Sequence, residues 1–207
     1  MSVRTDVIND ALTILEQSLL GSSGPDSSTD PIVVRMREIY ERRAKLMLSM
    51  YPWNFARKVE QLAALADVKA GWTYTFAKPV KCARIIRVDN RADMRRRGDI
   101  DFEDRGGVLS TNNEITFLAY VDGAFADNDA GSWPEPCKNA LAHDIANMCK
   151  GKTHLPANRL EQIAREARRA MAEARRWDAQ QNKVYEPPLS TWQRARLNGG
   201  LRGGRDG

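Results

Sequence analysis

The sequence predicts an α+β fold, mainly α: a four-helix bundle with a β-rich insertion between helices 2 and 3 and an extended C-terminal tail. Three observations predict it. Apolar residues recur at three- and four-residue spacing near both ends of the chain, as in Val7, Ile8, Ala11, Leu12 and Leu15 and again in Leu160, Ile163, Ala167, Ala170 and Ala174. In the middle the period falls to two, with Trp72, Tyr74 and Phe76 alternating with Thr73 and Thr75. Beyond Pro187-Pro188 the chain turns to glycine and arginine. The expected division is therefore 1–51 and 132–184 for the helical part, 52–131 for the insertion and 185–207 for the tail.

The first helix is expected over Ser2 to Leu20, capped by Ser2 or Thr5. Gly21 to Thr29 is a loop by composition. Asp30-Pro31 is a start signal, a capping side chain followed by a proline whose missing N–H costs nothing in the first turn. Val33, Met36, Tyr40, Ala44 and Met47 carry that helix to about Met50, and Pro52 ends it. Cys82 to Val88 is a further strand candidate. Val108–Ser110 and Glu114–Val121 flank Thr111-Asn112-Asn113, which is expected to be a hairpin turn because asparagine tolerates positive φ. Ile115, Phe117, Ala119 and Val121 are expected on one face of the second of these strands, and the charge-dense stretch Asp89–Gly107 is expected to be an exposed loop and strand edge. Helices return after Trp133-Pro134, with Cys137, Leu141, Ile145 and Met148 on one face. After the turn Gly151–Pro156, a long helix is expected to run to about Lys183, its stripe ending in Trp177 and rich enough in alanine for close helix approach.

At 207 residues the chain fits one domain, or one core with an appended subdomain. A chain of this length buries roughly 70% of its unfolded surface and needs no disulfide to fold. Mean hydropathy is −0.54. No apolar run approaches the ~18 residues of a membrane span, and Met1–Asp6 lacks the apolar core of a signal peptide. The cysteines Cys82, Cys137 and Cys149 are sparse and odd in number, which suggests reduced thiols in a cytoplasm where the chain is made. The net charge of +5 permits nucleic-acid contact without demanding it. Much of it rides on the end of the chain, where Lys183, Arg194, Arg196, Arg202 and Arg205 stand against Glu186 and Asp206.

Candidate chemistry is thin. Cys137, His143 and Cys149 are spaced so that successive residues fall about 240° apart around a helix, which prevents one helix from bringing them to one ion. The two histidines lie in no cysteine-protease or nucleophile-elbow context. Gly106-Gly107 and Gly199-Gly200 lack the lysine and following helix of a phosphate loop. Asp99, Asp101, Glu103 and Asp104 read as a solvated loop beside arginines. No catalytic, cofactor-binding or metal-binding residue is expected, and the chain is not expected to be an enzyme. On the last helix Arg165, Arg168, Arg169, Arg175 and Arg176 are interleaved with acids, with Glu161–Arg165 and Arg169–Glu173 at ion-pair spacing. The tail mixes Trp192 with unneutralised arginine, a combination suited to phosphate or to a protein partner.

A series of short blocks carries a resemblance. They are Trp53-Asn54-Phe55-Ala56 with Leu62-Ala63, Gly71-Trp72-Thr73-Tyr74 with Pro79, Arg84–Val88, and Gly107–Asn112. Tyr120, Trp133-Pro134 with Ala140-Leu141-Ala142, and Ala174–Gln180 complete them. In this order and spacing, from Val7 to about Lys183, the chain resembles the head-to-tail adaptor proteins of bacteriophages, the tail tubular protein A type of short-tailed phages. The resemblance implies a structural virion protein at the portal vertex, synthesised and assembled in the host cytoplasm. It implies a homo-oligomeric ring, usually twelve-fold, between the portal protein and the tail nozzle or tail tube, with genomic double-stranded DNA passing through the lumen without sequence specificity and no membrane partner. It also implies that the C-terminal extension grips the portal and that the β region faces the nozzle. By position and type, Tyr185, Trp192, Arg194, Arg196, Leu197 and Arg202 are expected to bind the portal, and Arg95, Arg96, Arg97, Asn112 and Asn113 to face the tail. A small basic DNA-binding protein or packaging factor is the alternative, resting on the arginine-rich tail.

Overall fold

The computed structural model describes residues 3–20, 24–94, 100–127 and 133–181, and combines five α-helices with two small antiparallel sheets. Helix α1 spans Val3–Ile14 and buries Val3, Val7, Ile8, Ala11 and Leu12. It stops short of the expected Leu20 because Glu16 adopts a left-handed φ of 57° while its N–H bonds Thr13 O. Leu20 then donates its N–H to Asn9 Oδ1 at 3.0 Å, folding the chain back along the helix. Thr5 lies inside the first turn rather than capping it. Helix α2, Pro31–Met50, starts as expected: Asp30 accepts the Ile32 N–H at 2.9 Å and Pro31 opens the turn.

Six strands follow before the helices resume. They are β1 (Arg57–Gln61), β2 (Tyr74–Ala77), β3 (Cys82–Asp89), β4 (Phe102–Arg105), β5 (Val108–Thr111) and β6 (Phe117–Asp122). One sheet has the order β1-β6-β3 and the other β2-β5-β4, all antiparallel. This corrects one expectation. β5 and β6 belong to different sheets, so residues 112–113 are not a hairpin turn but a crossing between sheets. The hairpin joins β4 to β5 through Gly106-Gly107, whose φ values of 55° and 101° are open to glycine without a Cβ penalty. The charged stretch before it is therefore partly strand, with Glu103, Asp104 and Arg105 paired to Ser110, Leu109 and Val108. A polar sheet edge tolerates such side chains because they reach solvent.

β6 is buried on both faces, which corrects the expected one-sided pattern. Leu118 and Tyr120 join Leu62, Phe76, Val88 and Leu109 in a core between the sheets, while Val121 joins the larger helical core. Ile115 precedes the strand and is exposed. A central strand between two apolar layers loses period-two patterning for this reason.

A short α3 (Ala124–Asp127) leads to α4 (Glu135–Cys149) and α5 (Ala157–Gln181). Helix α4 buries Cys137, Ala140, Leu141, Ala142, Ile145, Ala146 and Cys149, more than one stripe, because α1, α2 and α5 all pack on it. Met148, expected on that face, is exposed. Arg43 of α2 makes a two-pronged pair with Asp144 of α4, both contacts at 2.6 Å. Helix α5 lies chiefly along α4, through Ile163, Ala167, Ala170 and Ala174. Among the described residues no helix is long and apolar enough to cross a membrane.

Candidate interaction surfaces

The aromatic block after α2 is the junction of the molecule. Tyr51 is extended, which turns the chain and drops Trp53 into the core, fully buried, with its Nε1–H donated to Met47 O at 2.8 Å. Trp53 meets Tyr51 edge-on at 4.9 Å between centroids and Phe55 at 5.7 Å, and Phe55 in turn meets Phe125 and Trp133 at 5.7 and 5.5 Å. These offset and edge geometries are the favourable ones for aromatic rings. Trp133 donates its own Nε1–H to Phe125 O at 2.9 Å. The block thus ties the β region to the helices.

Asp178 completes the junction from the far end of α5. Its fully buried carboxylate accepts the Asn54 N–H at 2.9 Å, the Asn54 Nδ2–H at 3.1 Å and the Phe55 N–H at 3.2 Å, and its own carbonyl accepts from Asn54 Nδ2 at 3.0 Å. Asp178 is one of the acids expected to interleave with the arginines on a salt-bridged helix face, but it is buried and bonds amides instead. The available signal was positional: Asp178 continues the Ile163–Ala174 stripe at the next helical step, where an acid needs buried donors. At the other end of α5, Arg159 donates to Ile14 O at 3.2 Å and pairs with Glu16 at 3.1 Å, fastening the helix start to α1.

Of the residues expected to face the tail, Asn112 and Asn113 sit together in the crossing between the sheets. Asn112 is exposed and its Oδ1 accepts from Thr73 N and Oγ1 at 3.0 and 3.1 Å; Asn113 donates to Thr111 Oγ1 at 3.2 Å. Nearby, Trp72 is only partly buried and donates its Nε1–H to Glu103 Oε2 at 2.9 Å, a bond that holds the Glu103 carboxyl below its usual range. Arg95, Arg96 and Arg97 lie outside the described residues, as do Tyr185, Trp192, Arg194, Arg196, Leu197 and Arg202.

Two grooves flank α5. One, about 650 Å³, is lined by Asp10, Glu135, Glu173 and Trp177 among others, between α1, the start of α4 and α5. It is acidic: burial and then the charges of Asp6 and Glu135 push the Asp10 carboxyl above its ordinary value. The other groove, about 330 Å³ between α2, α4 and α5, is lined by Leu46, Met50 and Met171 with Arg168 and Arg175 beside them. Arg175 lies over the Tyr51 ring at 5.7 Å. Of the ion pairs expected along α5, Arg165–Glu161 forms at 3.1 Å; among the described residues Arg169 and Glu173 form none with each other.

Cys137 and Cys149 are placed as packing groups, while Cys82 and His143 are partly buried and His154 is exposed. Cys137 and Cys149 are buried in the helical core, and burial pushes the Cys137 thiol up to about 12 and Cys149 above its ordinary value. A thiol so raised is no nucleophile near neutral pH. His143 is held below its ordinary value by burial. Among the described residues no group of three or more His, Cys, Asp or Glu is placed to hold a metal ion. No family model and no curated protein matches the chain.

Proposed function

We propose that the protein is a mechanical coupling, a head-to-tail adaptor of the bacteriophage virion, and not an enzyme. In this reading α1, α2, α4 and α5 form a four-helix bundle from residues 1–51 and 132–184, residues 52–131 are the β insertion facing the nozzle, and residues 185–207 are the arm that grips the portal protein. Copies form a ring, the expected number being twelve, at the portal vertex, and genomic DNA passes through the lumen.

The observation that carries the reading is the clamp of Asp178 on Asn54 and Phe55. It fixes the end of α5 to the aromatic junction, and the arm begins a few residues beyond it. A tether is useful in a mechanical coupling only if its root is rigid, because force on a loose root extends the root instead of moving the body. The Trp53–Phe55 and Trp133-Pro134 blocks that carry the resemblance are the same residues that build this junction. An arm that becomes ordered against a neighbour, repeated around a ring, supports strong attachment from weak single contacts.

The test is co-sedimentation of the purified portal ring with the full chain and with a chain ending at Val184. The full chain is expected to move with the portal and the shortened chain to stay free while keeping the same melting temperature. Equal binding by both removes the arm from the interface, and no binding by the full chain removes the adaptor reading. The DNA-binding alternative predicts instead a duplex affinity that falls steeply with salt.

A further inference from the structure

The two grooves beside α5 differ in character. On one flank, Asp10, Glu135 and Glu173 surround Trp177. On the other, Leu46 and Met50 are 41% and 52% exposed next to Arg168 and Arg175. Arg168 and Glu173 stand about 140° apart around the α5 axis, so the two characters face nearly opposite ways. We propose that these flanks are the two halves of one interface between copies of this chain, the acidic groove of one copy receiving the cationic, apolar flank of the next. This rests on the reading of the chain as a ring subunit and names the surfaces that would close the ring.

Three features support the pairing. First, charge complementarity selects the occupant. Because the two flanks face nearly opposite ways, a two-fold dimer cannot seat both acid–arginine pairs in one interface, whereas a heterologous contact sets each flank against its opposite and continues to a third copy. Second, Glu135 is paired with Lys138 at 2.6 Å and Arg175 lies over the Tyr51 ring, but the two charges at the centre of the pairing, Glu173 and Arg168, are not spent inside the chain. Among the described residues Glu173 has no ion pair, and the Arg168 guanidinium reaches only the Ala164 carbonyl of its own helix, at 3.3 Å. Arg43, by contrast, is already committed to Asp144 and stays a structural pair. Third, the groove disfavours the Asp10 carboxylate, by burial first and then by Asp6 and Glu135, with Lys138 and His143 offsetting part of this, and a cation from outside would favour the ionised form further. The apolar side chains beside Arg168 and Arg175 supply the contact area, and the half-buried Trp177 in the acidic groove supplies an aromatic anchor opposite them.

The test uses charge reversal in the full chain. Wild-type protein at millimolar concentration and low ionic strength is expected to sediment as species larger than one chain, and to dissociate as salt is added. Arg168→Glu and Glu173→Arg are each expected to weaken association by at least about tenfold. The two single variants mixed in equal amounts are expected to associate again, because every contact in an alternating assembly then joins opposite charges. The double variant Arg168→Glu, Glu173→Arg is expected to associate alone for the same reason. Both positions are exposed, and unchanged circular dichroism and melting temperature show that the variants fold.

A wild-type chain that stays monomeric at millimolar concentration overturns the proposal. So do single variants that associate as well as wild type, or a mixture and a double variant that stay apart. Portal co-sedimentation of the same wild-type sample separates the two readings: portal binding without this charge-swap pattern keeps the adaptor and discards the interface, and the pattern without portal binding does the reverse.

Discussion

The carboxylate of Asp178 and the main chain of Asn54 form a buried contact that spans most of the sequence, with the Asn54 N–H 2.9 Å from Oδ2. It is satisfied on several sides, by two backbone N–H groups and one side-chain amide. Asp178→Ala leaves those donors unmatched, at a cost of about 2–4 kcal/mol. For a chain of this size that lowers the melting temperature by roughly 5–15 °C. Asp178→Asn keeps the volume but replaces an acceptor oxygen by a donor, so it is expected to lie close to alanine. A thermal melt of both variants checks this, and a drop under about 2 °C for both places the stability of the junction in the rings instead.

The two tryptophans of the aromatic signature separate sharply. Trp53 is fully buried among Tyr51, Phe55 and the α2 carbonyl of Met47, so Trp53→Ala is expected to cost about 3–5 kcal/mol, at the threshold of folding. Trp72 is only partly buried beside Glu103, and Trp72→Ala is expected to cost about 1–2 kcal/mol. Urea titration of the two variants orders them. An equal loss would place Trp72 as deep in the core as Trp53.

Helices were legible because each carried a local cause. Asp30-Pro31 starts α2, Pro52 follows its end, and the Ile163–Ala174 stripe faces α4 as its spacing requires. Strands β2, β3, β5 and β6 were legible from their apolar and β-branched residues, whereas β1, Arg57–Gln61, is largely exposed and charged and gave no such signal. β6 is buried on both sides, so the one-sided period read into it did not give its facing, and the charged stretch before Gly107, expected as loop and strand edge, holds the edge strand β4. Gly106-Gly107 between Arg105 and Val108 was the stronger hairpin signal, and Asn112-Asn113 was a turn by composition but not by partner, since pairing is decided by distant residues. The surfaces beside α5 were not legible at all, because a groove depends on which helices are close and not on any one helix.

Gly107 offers a test of that hairpin. Its φ of 101° lies where a side chain is strained, and an added Cβ meets nothing within 4 Å, so the cost of Gly107→Ala is conformational alone. We expect a loss of about 1–2 kcal/mol by thermal melt. Amide exchange is expected to rise across β4 and β5, while α4 keeps its protection. Uniform loss of protection would mean that the two sheets and the helices open as one unit.

Asp10 gives a pH signature to the acidic groove. Burial, then Asp6 and Glu135, raise its folded value above the ordinary 3.8, so the folded protein holds that proton more tightly than the unfolded chain. The stabilisation from protonation is complete below about 3.8 and is lost as pH rises through the folded value. At neutral pH the ionised side chain therefore weakens the fold, by an amount that solvent at this exposed site keeps small. Asp10→Asn is expected to raise the melting temperature at pH 7, with the gain shrinking toward zero as the pH is taken below the ordinary carboxylate range. High salt at pH 7 should shrink the same gain, since part of it is repulsion from Asp6 and Glu135. A variant that is less stable than wild type at pH 7 would show that Lys138 and His143, which act on Asp10 in the opposite sense, outweigh the burial and the neighbouring acids.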